Sequence, residues 1–172
     1  MTTDENLRSR RLVFYKETVD QIDALLKDFL RLSKAKSIYF IDKEGHAVTQ
    51  TGDTAGVNPE ALSALVAGSF SATRELAKVL GESEFNTMSH KGDKGQINVT
   101  LVGRRSMLVV LFDEKTTAGM VALYLKELGE KVAKLLDVAE RQQAMKTKDD
   151  TEPLGEEYNV SLQEKLDQLF ED

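Results

Sequence analysis

The chain is predicted to be an α+β protein: a five-stranded antiparallel sheet with helices packed on it. Two observations carry that prediction. Three segments, roughly 12–32, 59–80 and 117–145, repeat apolar residues at the 3.6-residue period of a helix. Between them lie short β-branched and aromatic runs joined by glycine-containing turns. Every pair of strands consecutive in the chain therefore reads as a hairpin, and hairpins make an antiparallel sheet.

Each element has its own signal. Tyr15, Val19, Ile22, Leu25, Leu26, Phe29 and Leu32 form the stripe of the first helix, with charged residues on its other faces. SIYFID (37–42) and AVTQT (47–51) read as strands around the turn KEGH, where Gly45 accepts positive φ. Asn58 before Pro59 supplies an N-cap and a first-turn proline, so a helix runs from 59 to Leu80 and stops at Gly81. Residues 85–91 read as a weak strand. GDKG turns the chain into QINVTLV (96–102), which alternates apolar and polar as a half-buried strand does. GRRS turns it again into MLVVLFD (107–113), whose continuous apolar run suits a central strand. The last long helix carries Val121, Tyr124 or Leu125, Leu128, Val132, Leu135 and Leu136 on one stripe.

The expected organisation is a disordered N-terminus (1–11), one domain (12–142), a flexible linker (143–160) and a short C-terminal helix (161–172). Ser161 and Glu164 form a capping box, and Leu162, Leu166, Leu169 and Phe170 fall on one face. So short a helix is marginal alone, so its apolar stripe requires a docking surface, on a partner or on its own domain.

Composition excludes several functions. Lys and Arg number 23 against 29 Asp and Glu, a net charge of −6, which argues against binding nucleic acid or an anionic membrane. No cysteine is present, so disulfides, thiolate metal sites and cysteine nucleophiles are excluded. No apolar run is long enough to span a membrane. A cytoplasmic protein is expected, without cofactor.

The search for chemistry finds little. GDTAG and GDKG lack the lysine and the strand–helix setting of a phosphate loop. His46 and His90 sit beside turns, with Asp42, Glu44 or Asp93 nearby in the chain. Without a third-ligand pattern they read as exposed hairpin histidines. No serine occupies G-x-S-x-G. Arg104 and Arg105 at a hairpin tip have the chemistry of an arginine finger, but read first as a solvated turn that keeps the hairpin soluble.

The helix 59–80 is the most informative. Leu62, Leu65, Ser69, Thr73, Leu76 and Leu80 are assigned to its core stripe. Ala64, Ala67, Gly68 and Ser71 then cluster on the far side, where Lys and Glu are usual. Alanines suit helix propensity, but Gly68 costs about 1 kcal/mol there. A smooth face of small residues admits another backbone, and Phe70 and Arg74 beside it are types common at interfaces. Strand 85–91 is the candidate exposed edge, and pairing it with its own copy would bring two such helices together.

These features resemble the roadblock/dynein-light-chain family. IDKEGHAVTQTGD is similar to its first hairpin. LSALVAGSFSATRELAKVLGESEF is similar to its central helix and exit, and INVTLVGRRSMLVVLFDEKTTAGMVALYLKEL to its last hairpin and final helix. The combination of LVAG, GESEF, the VG-x-R hairpin and the tail KLDQLFED is closest to the family's bacterial polarity branch. The resemblance covers about residues 12–140. It implies a homodimer with a shared sheet, whose paired central helices bind a Ras-like small GTPase of the MglA type and activate it. Activation in that branch repositions the GTPase's own catalytic residues, which lowers the weight on Arg104 and Arg105. The implied platform is Ala64, Ala67, Gly68, Phe70, Ser71 and Arg74. The implied second contact, with an influence on nucleotide exchange, is the C-terminal helix through Leu162, Leu166, Leu169 and Phe170. Concentration at a cell pole is also implied. Other roadblock proteins are adaptors that change no reaction rate, and that alternative uses the same helix face.

Overall fold

A computed structural model describes residues 16–149. The predicted 1–11 and 161–172 segments lie outside these residues, as do Leu12 to Tyr15 of the first predicted helix.

Helix α1 (Lys16–Ser33) buries Ile22, Leu26 and Phe29. It ends at Lys34, whose φ of 59° lets its N–H reach Leu30 O at 3.1 Å. Strands β1 (Ser37–Asp42) and β2 (Ala47–Gly52) form the first hairpin, helix α2 spans Pro59–Leu80, and β3 (Thr87–Lys91), β4 (Gln96–Val102) and β5 (Ser106–Phe112) form the meander. Helix α3 spans Ala118–Asp149. Strand β3 starts two residues later than the residue pattern suggests, at Thr87.

The strand order is β2-β1-β5-β4-β3, and every pairing is antiparallel. The predicted five-stranded antiparallel sheet is present. Strand β5, the most apolar, is central and pairs with both β1 and β4. The first hairpin and the meander join through β1 and β5, with Ile38 opposite Val110 and Phe40 opposite Leu108.

The sheet carries a core on each face. Alternation along β1 divides them: Ile38 and Phe40 point to one, Tyr39 and Ile41 to the other. The first core gathers Ile22, Leu26 and Phe29 of α1 with Val121, Leu125, Leu128, Val132 and Leu136 of α3. Leu125 rather than Tyr124 is thus the buried member of the α3 stripe. The second core lies beneath α2 and contains Tyr39, Ile41, Val66, Ala67, Phe70, Val99, Met107 and Val109.

Two compact units divide the chain, 1–137 and 138–172. The sheet and its helical cover belong to the first. In the second, residues 138–149 continue as helix, past the predicted linker start at 143. The stretch AERQQAMKTKD contains no glycine or proline and consists mostly of strong helix formers, which explains the extension.

Tyr39 is fully buried, and its hydroxyl has no hydrogen-bond partner among the described residues. An orphaned buried hydroxyl costs free energy. Tyr39→Phe is therefore expected to raise stability by about 1 kcal/mol. A denaturant midpoint that falls on this substitution would contradict the assignment.

Candidate functional site

Helix α2 is built as its end residues dictate. The Asn58 side chain accepts from Ala61 N at 3.0 Å, Pro59 opens the first turn, and Gly81 closes the last with φ of 76°. The β1–β2 turn lies against it: a Cβ on Gly45 would stand 3.0 Å from Ala64 Cα.

The face that α2 buries differs from the predicted one. Ser63, Val66, Ala67, Phe70 and Ala77 are buried. Of the predicted core stripe, Leu62 and Thr73 are half-buried, Ser69 is exposed, and Leu65, Leu76 and Leu80 are 72%, 51% and 62% exposed. The helix is apolar on two sides, so periodicity alone selects neither. The sheet decides. Tyr39, Ile41, Met107 and Val109 already fill much of the space below α2, and the smaller Ala67 beside Val66 and Phe70 completes it.

Leu65, Gly68, Ala72, Leu76 and Val79 follow one another at steps of 3, 4, 4 and 3 and share the exposed side. Val79 is 82% exposed. An exposed apolar stripe of this length on a helix is the kind of surface that marks an interaction site. Gly68 lies within it, and a Cβ there would meet nothing within 4 Å. The packing of the described residues therefore does not require the glycine.

The residues predicted for a platform separate into three groups. Ala64, Gly68 and Ser71 are exposed. Ala67 and Phe70 are 6% and 2% exposed and belong to the core, which corrects their placement on the outer face. Arg74 sits at the border, with Nε 3.7 Å from Glu84 Oε1; Lys43 Nζ approaches the same oxygen at 3.8 Å. Leu65, Leu76 and Val79 were missed as surface residues. Their signal was present in the sequence as a second apolar stripe on the same helix. Leu162, Leu166, Leu169 and Phe170 lie outside the described residues.

Strand β3 is an edge of the sheet, and four of its five residues are exposed. On α3, Met120 and Leu123 are exposed as well. Arg104 and Arg105 lie in the β4–β5 turn, which is tied to the β1–β2 turn by Lys43 N donating to Arg105 O at 2.9 Å. Two ammonium groups have raised pKa values, Lys16 through its hydrogen bond to Asp20 and Lys131 through its hydrogen bond to Glu127. Both are on α1 or α3 and neither is on α2. No helix among the described residues is long and apolar enough to cross a membrane.

The Roadblock/LC7 domain model matches residues 21–112. The chain belongs to the Roadblock/LC7 family. Among solved structures it is similar to Myxococcus xanthus MglB, at 34% identity over 74% of this chain and 96% of that one, with a TM-score of 0.69. The gliding protein MglB of Thermus thermophilus is 30% identical over 73% of this chain and 96% of that one, with a TM-score of 0.68. An MglB described as having a tetrameric arrangement is likewise 30% identical, over 74% and 96%, with a TM-score of 0.69. No curated protein sequence matches the chain. The TM-scores of 0.68 and 0.69 show that these relatives share the fold of this chain.

Proposed function

We propose that this roadblock protein is a GTPase-activating regulator of an MglA-type, Ras-like small GTPase in bacterial polarity and motility. It has no active site of its own. The observation that carries the reading is the exposed apolar side of α2, on a chain one-third identical to an MglB. Two chains pair through their β3 edges into one continuous sheet, which sets two α2 helices side by side. Together they form the GTPase platform, with Leu65, Gly68, Leu76 and Val79 as its apolar contacts and Ala64, Ser71 and Arg74 at its margin. Small residues at 64, 68 and 72 allow another backbone to approach closely.

The C-terminal segment docks on the GTPase at a second surface and alters nucleotide exchange. Burying Leu162, Leu166, Leu169 and Phe170 contributes roughly 6–12 kcal/mol gross, at ~1.5–3 kcal/mol for each side chain. Ordering the segment offsets about 2–5 kcal/mol of that. Tethering to a domain already on the partner raises its effective concentration, so a contact too weak alone becomes significant. The protein acts in the cytoplasm, concentrated at a cell pole.

The test is single-turnover GTP hydrolysis by the cognate GTPase, with and without this protein. Acceleration supports an activator. Binding without acceleration supports the second reading, an adaptor dimer that uses the same α2 surface.

A further inference from the structure

The β1–β2 turn carries D-x-E-x-H, and the fold brings the three side chains together. Asp42, Glu44 and His46 each bring one ligand atom within 4.8 Å of the others. His46 Nδ1 lies 3.0 Å from Asp42 Oδ2. Two ligand atoms each ~2.1 Å from one zinc ion are roughly 3.0–3.4 Å apart, so this pair already has the separation of neighbouring ligands.

A second observation comes from the adjoining strand. Ser106 of β5 is directly opposite Asp42. Lys43 and Arg105, the next pair, are hydrogen-bonded through Lys43 N. Asp42 and Ser106 are therefore a non-hydrogen-bonded pair, in which side chains on the same face stand closest. Ser106 is 1% exposed, and its hydroxyl has no partner among the described residues. A buried hydroxyl without a partner among the described residues, on the strand position opposite Asp42, is an oxygen donor left over by their hydrogen bonding.

We propose that Asp42, Glu44 and His46 bind a divalent first-row transition cation, with Ser106 Oγ bordering the site. One imidazole nitrogen with carboxylate oxygens suits zinc, manganese or nickel. The Asp42 carboxylate keeps its existing role: Oδ1 accepts from Glu44 N at 3.0 Å and His46 N at 2.9 Å, which leaves Oδ2 for the ion. Those two bonds hold the turn, so the first ligand is already oriented. His46 binds through Nδ1 as the neutral imidazole, replacing its contact with Asp42. Lys43, between Asp42 and Glu44 in the chain, has its Nζ 3.8 Å from Glu84 Oε1. Because Gly45 of the same turn packs on Ala64 of α2, an ion here stiffens the seat of the helix that bears the exposed apolar side.

The test uses the full chain without an added histidine tag. With no cysteine and only two histidines, transition-metal binding is attributable to single residues. Zn2+ and Ni2+ are titrated by calorimetry, and Co2+ by its visible absorption. The expected result is saturable binding of one ion per chain, weakened about tenfold or more by His46→Gln and less by Glu44→Gln, and unaffected by His90→Gln. His46 and Glu44 are exposed, so these variants keep the fold, which circular dichroism verifies. Non-saturable binding, or binding that His46→Gln leaves intact, overturns the proposal. The readout involves no GTPase, so it is independent of the proposed function.

Discussion

Glutamate at both Leu65 and Val79 is expected to leave the domain folded and to weaken its association by at least about a hundredfold. The side chains are 72% and 82% exposed, so neither contributes much to the core. If both are buried against a partner, each contributes ~1.5–3 kcal/mol of hydrophobic stabilisation. A hundredfold loss corresponds to about 2.7 kcal/mol, within the sum of two such terms. A carboxylate forced into an apolar contact adds a desolvation cost to the loss. Two measurements read the effect: sedimentation for self-association, and titration with the GTPase for the platform. Wild-type behaviour in both would remove the exposed side of α2 from the account. The contrast within the helix is informative, because Phe70, on the opposite side, is a core residue whose truncation would act on stability.

Gly52→Ala is expected to be the most destabilising single-methyl change in the described fold. Gly52 ends β2 with φ of 99°, a conformation that disfavours a side chain. The space is also closed. An added Cβ would stand 2.5 Å from Lys36 O, 2.8 Å from Leu30 Cδ1 and 2.9 Å from Ser37 Cα. Leu30 can rotate away, but the two backbone atoms can move only by displacing the start of β1. Strain and overpacking together amount to about 2–4 kcal/mol, or roughly 5–15 °C in melting temperature. Thermal denaturation measures it. Gly56 is the internal control, because its φ is also positive but nothing lies within 4 Å of an added Cβ. Gly56→Ala should therefore cost only the backbone strain. Equal losses at the two positions would show that the crowding around Gly52 does not matter.

Most of the fold was legible in the sequence because its signals are local. Asn58-Pro59 and Gly81 mark the ends of α2, and alternation in QINVTLV marks a strand, although Asn98 and Val102 on its other face are buried along with Val99. The continuous apolar run of β5 announced a central strand, and it pairs on both sides. What could not be read was the rotation of α2. Val66, Phe70 and Ala77 make one apolar side and Leu65, Leu76 and Val79 another, and local periodicity is satisfied by either. The choice depends on the volume left above Tyr39 and Val109, which is a tertiary quantity. The same limit bears on the site proposed at Asp42. The spacing placed Asp42, Glu44 and His46 near one turn, but only the register of β1 with β5 sets Ser106 opposite Asp42.

The measurement that bears most directly on the central claim is single-turnover GTP hydrolysis by the cognate Ras-like GTPase, with the full chain, with a version ending at Lys148, and with Leu65→Glu/Val79→Glu. The account predicts strong acceleration by the first two and none by the third, placing activation on α2 and leaving exchange to the C-terminal segment. Measurable binding of the GTPase by the full chain with an unchanged hydrolysis rate would contradict it and leave an adaptor.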